Sequence, residues 1–252
     1  MVSTGRPYFR SKNGSLPADT GGLASLGSYR AIKLLEHAMK VIEKVLAKKI
    51  SERVRVDEMQ FGFTAGKGTM DAIFIVRQLQ ELHRGKGKVP YYAFVDLEKA
   101  FDRVPREVTW WAMRKLGVEE WLVKVVMAMY EGARTRVRTD DGDSMSFEVK
   151  VGLHQGSGLS PLLFKIVMEA ISEAIMGGLP WELLYADDIV LVADSLESLL
   201  KKLGRWKHAL QAKGLKVNVD KTKIMMEGLE GFVQKSGKFP CAVCGKEWGM
   251  VQ

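Results

Sequence analysis

The amino-acid sequence predicts an α+β fold, a small and mostly antiparallel sheet packed by helices on one face. Apolar residues recur at helical spacing in segments 32–50 and 69–84. Short β-branched and aromatic runs follow them, above all 91–96 and 181–193. The second run is split by the adjacent acids Asp187 and Asp188, so it reads as a hairpin with carboxylates at its tip.

In chain order, residues 1–28 are rich in Gly, Ser and Pro, and Gly5, Pro7, Gly14 and Pro17 interrupt any amphipathic helix; a flexible leader is expected. Order should begin near Tyr29. Leu35, Met39, Ile42, Leu46 and Ile50 make the buried stripe of a first helix. Ala72, Ile73, Val76, Leu79 and Leu82 make a second, with Thr69 as its N-cap. A strand over 91–96 follows. Pro105 suits the first turn of a helix that stops at Gly117, and 119–130 forms another closed by Gly132. Alternation over 134–139 and 144–151 about Asp140-Asp-Gly-Asp143 reads as a hairpin with a basic face, which either meets solvent or a polyanion. A Gly- and Ser-rich loop leads into the helix after Pro161. Beyond the acidic hairpin, Asp194 and Glu197 resemble a capping box for a helix over 195–213, and 216–219 reads as a strand.

With 252 residues and 46% apolar content, the chain can bury a sizeable core. Its formal charge of +8 favours a polyanionic partner without proving one. The two cysteines, Cys241 and Cys244, exclude a disulfide framework and suit a reducing intracellular setting, cytoplasm or nucleus. No apolar run approaches the roughly 20 residues that cross a bilayer, so no membrane role is expected. Cys241-Ala-Val-Cys244 is half of a four-ligand zinc site with no further Cys or His after it.

The chemistry concentrates in carboxylates. Two adjacent acids between apolar strands require a compensating cation, and the run 91–96 ends in another, Asp96. If the two strands are neighbours, Asp96, Asp187 and Asp188 form a cluster of the type that binds two Mg²⁺ for phosphoryl transfer.

Four stretches in order carry a family resemblance: Phe94-Val-Asp-Leu-Glu-Lys-Ala-Phe-Asp-Arg-Val104, Gly152-Leu-His-Gln-Gly-Ser-Gly-Leu-Ser-Pro161, Tyr185-Ala-Asp-Asp188 and Gly214-Leu-Lys-Val-Asn-Val-Asp-Lys-Thr-Lys223. With Gln60-Phe-Gly-Phe63, they span roughly residues 25–226, and the chain resembles the reverse transcriptase domain of a non-LTR (LINE-type) retrotransposon. The resemblance implies right-hand polymerase fingers (29–90) and palm (91–227), followed by a tail (228–252) with an incomplete Cys-x-x-Cys knuckle. The helical thumb of the family is expected to be missing, because the 25 residues after Glu227 are few and Gly-rich; a truncated copy is expected.

By the same resemblance, the partners are an RNA template, a DNA primer and dNTPs, and the cofactor is Mg²⁺, two per site, with Mn²⁺ as a substitute. Asp96 and Asp187 match the metal-bridging ligands and Asp188 the third carboxylate, nearer the primer. Lys221 matches a lysine that acts on the leaving pyrophosphate. Phe101 takes the position of the side chain under the sugar that selects deoxynucleotides, although a plain core Phe would read the same. Gln155 and Gly156 shape the nucleotide and template pocket. Arg30 and Lys67 are the candidate triphosphate cations of the fingers. Thr64 stands where the family often has Arg, and Gly158 where many relatives have Ala. The rival reading is a catalytically inactive, truncated or repurposed fold of this type that binds RNA. A maturase-associated enzyme would add an RNA-binding extension, and a bare metal scaffold would need neither Gln155 nor Lys221.

Overall fold

The computed structural model describes residues 6–11, 29–34, 36–139, 142–176, 181–226, 238–240 and 247–251, with side chains over 36–137, 143–176 and 181–226. Its centre is a six-stranded sheet in the order β11-β12-β10-β3-β9-β8. Here β3 is Tyr91–Val95, β8 Glu182–Tyr185, β9 Asp188–Ala193, β10 Lys223–Met226, β11 Lys238–Pro240 and β12 Glu247–Val251. Neighbours are antiparallel except β10 and β12, which run parallel.

Both faces of the sheet carry buried residues. Ala93, Val95, Ile189 and Leu191 point to the main core, made with α4 (Arg106–Lys115), α5 (Glu120–Tyr130), α6 (Ser160–Ser172) and α7 (Leu196–Ala212). The alternate residues Tyr92 and Val192 pack with Leu79 of α2 (Thr69–Gly85) on the other face. Helices therefore cover two faces, not the one expected. The reason is legible in Tyr92 and Val192: a strand apolar at successive positions asks for cover on both sides. α6 is the central helix, buried at every position from Leu163 to Ser172, the charged Lys165 and Glu169 included.

Several boundaries move. α1 is His37–Ser51, and the residues before it form β2, Tyr29–Leu34. β2 pairs antiparallel with β1, Arg6–Ser11, inside the segment expected to be a flexible leader. Gly and Pro argue against a helix there, but a six-residue extended run needs only a partner strand. The N-cap of α2 is Gly68, not Thr69, and the Asp71 carboxylate accepts its N–H at 2.6 Å. Pro105 sits one residue before α4 at its N-cap. Ser195 caps α7 by accepting the Ser198 N–H at 3.2 Å, while Asp194 meets His83 of α2 at 3.2 Å instead of capping.

The basic hairpin is two short ladders, β4 (Arg134–Thr135) with β7 (Phe147–Glu148) and β5 (Arg138–Thr139) with β6 (Gly142–Asp143). The strand expected over 216–219 is reduced to one bridge, Leu97 to Val217, and β10 follows it. Strands β11 and β12 of the tail join the central sheet. Cys241 and Cys244 lie outside the described residues. Among the described residues, no helix is long and apolar enough to cross a membrane.

Candidate active site

Strands β3 and β9 are direct neighbours, with Val95 opposite Ile189, so the residues that follow one and open the other share an end of the sheet. Asp96 follows β3, Asp188 opens β9, and Ala186 and Asp187 form the two-residue connection from Tyr185. Ala186 holds φ 57°, the positive value that so tight a connection demands. The turn is braced from behind: Phe61 N–H donates to the Leu184 carbonyl at 2.7 Å and Leu184 N–H to that of Met59 at 2.9 Å. A Cβ on Gly62 would lie 2.0 Å from the Ala186 nitrogen, so only glycine fits behind the acidic turn.

Asp96 is held by its backbone. Its carbonyl accepts from Asn218 N–H at 2.8 Å, and its own N–H donates to the Thr222 hydroxyl at 3.4 Å. Asn218 and Thr222 lie in the last family-like stretch, and sequence reading assigned them no role; the Asn-x-x-x-Thr spacing was the available signal. The loop they form also delivers Lys221, whose Nζ lies 3.9 Å from Asp96 Oδ2. That oxygen is buried and has no hydrogen-bond partner.

Asp96, Asp187 and Lys221 line a cavity of about 420 Å³ together with Phe63, Phe101, Gln155 and Gly156. Asp188 sits to the side, in a second and more apolar groove with Tyr185 and Phe94. Although Asp188 is exposed as a residue, protein packed around its carboxyl raises its pKa above the ordinary range, and the Asp187 and Asp96 charges push it the same way against Lys221. Among the described residues, no three His, Cys, Asp or Glu side chains gather closely enough to enclose a metal ion. Mg²⁺ does not require that: one or two carboxylates plus substrate phosphates and water satisfy it. The hard oxygen donors of Asp96 and Asp187, one of them buried and without a hydrogen bond, fit such an ion.

Phe101 belongs to both the cavity and the core. It stacks on Phe164 of α6 at 4.5 Å and meets Phe63 edge-on at 6.2 Å. Gln155 donates through Nε2 to Asp102 Oδ1 at 3.0 Å, which ties the loop to the turn after Asp96. The loop is anchored by a residue the sequence reading missed. Glu43 of α1, 3% exposed, accepts from the Ser157 hydroxyl and the Gly158 N–H, both at 2.8 Å. An acid within an apolar helical stripe was the only signal, and nothing in it named a partner. His154 stacks on Tyr130 at 4.3 Å as a buried loop residue.

Of the two fingers cations, Lys67 is not brought into this cavity. Lys67 donates to the Glu58 carbonyl and lies over the Phe61 ring, 5.0 Å from its centroid. The cause is local, since 57–67 folds back on itself and captures its own lysine. Arg30 falls on β2, and its side chain lies outside the described residues.

Comparison with known proteins places this geometry. Residues 12–242 match the family described as "Reverse transcriptase (RNA-dependent DNA polymerase)". The chain is 27% identical over 220 residues to a "Retrovirus-related Pol polyprotein from type-1 retrotransposable element R2" of Nasonia vitripennis, covering 84% of this chain and 21% of that protein. It is 31% identical over 191 residues to the corresponding polyprotein of element R1 from Bradysia coprophila, covering 71% of this chain and 18% of that one. The chain thus spans about a fifth of the length of these two relatives. Among solved structures, apo telomerase from Candida tropicalis superposes with a TM-score of 0.64 at 17% identity, over 92% of this chain and 51% of that one, a likeness of fold.

Proposed function

The chain belongs to the reverse transcriptase (RNA-dependent DNA polymerase) family, and from that premise we propose that it carries the fingers and palm of an RNA-directed DNA polymerase of the non-LTR retrotransposon type. The reaction joins a primer 3′-oxygen to the α-phosphorus of a deoxynucleoside triphosphate and breaks the α–β phosphoanhydride bond, releasing pyrophosphate. One observation carries the reading: Asp96, with a buried oxygen that accepts no hydrogen bond, Asp187 and Lys221 share one cavity with Phe101 and Gln155.

In this reading Asp96 and Asp187 hold divalent cations, with Asp188 toward the primer. Held there, such cations would make the 3′-hydroxyl more acidic and would neutralise charge gathering on the leaving pyrophosphate. The chain's own groups do the rest. Lys221 supplies a positive charge beside Asp96 and, in this reading, donates a proton to, or neutralises, the departing pyrophosphate. Phe101, fixed by its stack on Phe164, is in this reading the ring that bounds the sugar and excludes a 2′-hydroxyl by overlap. Gln155, held by Asp102, offers an amide to the nucleotide or template. The partners are an RNA template, a DNA primer and dNTPs inside the cell, where two isolated cysteines stay reduced.

Extension of a DNA primer on an RNA template with Mg²⁺ and dNTPs tests this. Asp187→Ala and Asp188→Ala should each lower the rate at least about a hundredfold, since a held cation supplies several kcal/mol to the transition state. A native chain that binds template–primer and extends nothing would overturn the enzymatic reading and leave an inactive RNA-binding fold.

A further inference from the structure

Phe63 stands at the cavity wall in a conformation that its side chain disfavours. Its φ is 54°, a left-handed value that a non-glycine residue of this size adopts only under constraint. Its ring is 50% exposed and belongs to neither apolar core. An aromatic ring held half in water by a strained backbone gains little for folding. Strain of this kind persists where the surroundings enforce it, and it gathers at ligand clamps.

The enforcement is visible on every side. Gly62 is wedged against the Ala186 backbone, and its N–H donates to the Gln60 side-chain oxygen at 3.1 Å. Thr64 turns its hydroxyl back to the Gln60 carbonyl at 3.1 Å. The Phe63 carbonyl itself accepts from the ammonium of Lys165 at 3.2 Å. Lys165 lies on the central helix α6 and is only 8% exposed; burial lowers its pKa, with Glu169 opposing. A buried lysine reaching out of the core to one backbone oxygen is a strut for that residue.

We propose that Phe63 is a specificity-determining residue that stacks on the base of the incoming nucleotide, with Lys165 as its positioning residue. The inference rests on the polymerase reading of the same cavity. If Phe101 bounds the sugar, the ring 6.2 Å away and nearly perpendicular to it, at 87°, stands where the base leaves that sugar. Aromatic stacking is sequence-tolerant, because every base has a π-face, and it is strongest for purines.

Two measurements test it. In single-nucleotide insertion, Phe63→Ala should raise KM for dATP and dGTP about tenfold, the range expected for one lost base–aromatic stack. The increase should be smaller for dCTP and dTTP, with kcat little changed; Phe63→Tyr should behave as native. Equal loss for all four nucleotides together with a fall in kcat would mean a structural role and overturn the proposal. The second measurement does not need turnover. With a primer ended in a dideoxynucleotide, 2-aminopurine deoxyribonucleoside triphosphate should lose fluorescence on binding the native chain and the Tyr variant, and keep it with Phe63→Ala. Quenching here together with no insertion on an extendable primer would sink the polymerase reading and leave the stacking in place; no difference in quenching between native and Phe63→Ala would overturn this one. Phe63→Gly should melt above Phe63→Ala if the left-handed backbone is enforced, and below it otherwise.

Discussion

Asp188 shows how a single carboxyl in this site couples charge to stability. Its pKa is raised, so between the ordinary aspartate range and that raised value the folded chain keeps a proton that the unfolded chain has released. Stability therefore falls as pH rises through this window, and the loss persists above it. Asp188→Asn should raise the melting temperature of the metal-free chain at pH 7 by about 1–3 °C and leave it unchanged near pH 3, in thermal melts with chelator present. A variant that melts lower than native at pH 7 would contradict the burial and like-charge repulsion assigned here. Phe101 makes the complementary case for shape. Its ring is fixed against Phe164, so Phe101→Val should open space at the sugar and improve use of ribonucleotides relative to deoxynucleotides by about tenfold to a hundredfold. Paired insertion assays with dNTPs and rNTPs read the ratio.

At the scale of elements, the catalytic end of the sheet is braced by two loops that use glycine for different reasons. Gly62 has no free volume: its Cβ would fall 2.0 Å from Ala186 backbone in the acidic turn. Gly62→Ala should displace that turn, lowering stability by about 2 kcal/mol or more in denaturant melts. Gly158 is different. A Cβ there meets only the Glu43 carboxylate oxygen, at 3.8 Å, an ordinary contact. Gly158→Ala should change stability by no more than about 1 kcal/mol, and toward stabilisation, because it restricts the unfolded chain. Elements also decided how much of the site could be read in advance. The acidic hairpin was legible because apolar runs on both sides of an acid pair have few other uses. The hold of Glu43 on Ser157 and Gly158 was not, since 114 residues separate acid and hydroxyl and no local pattern pairs them. Lys67 failed as a cavity residue for the opposite reason: nearby groups, Phe61 and the Glu58 carbonyl, captured it first.

For the whole molecule, a formal charge of +8 alongside three site carboxylates predicts salt-sensitive binding of template–primer. If about four phosphates are contacted, affinity should fall about a hundredfold between roughly 50 and 200 mM salt, as a titration by fluorescence anisotropy would show. A flat salt response would argue that the charge is merely solvated. Periodicity in the sequence by itself determined the main helices and the acidic hairpin, and acids at strand ends marked Asp96, Asp187 and Asp188 as candidates, because alternation and acid placement are local properties of a strand. Tertiary structure alone decided the rest. It set α2 against the second face of the sheet, drew β1, β11 and β12 into sheets, and turned Asp188 to a different groove from Asp96 and Asp187. It also tied Asp96 to Asn218 and Thr222 and wedged Gly62 behind the turn. These contacts join residues far apart in the chain. Their partners are chosen by packing and by the need to pair buried polar groups, and neither demand is written in any one segment.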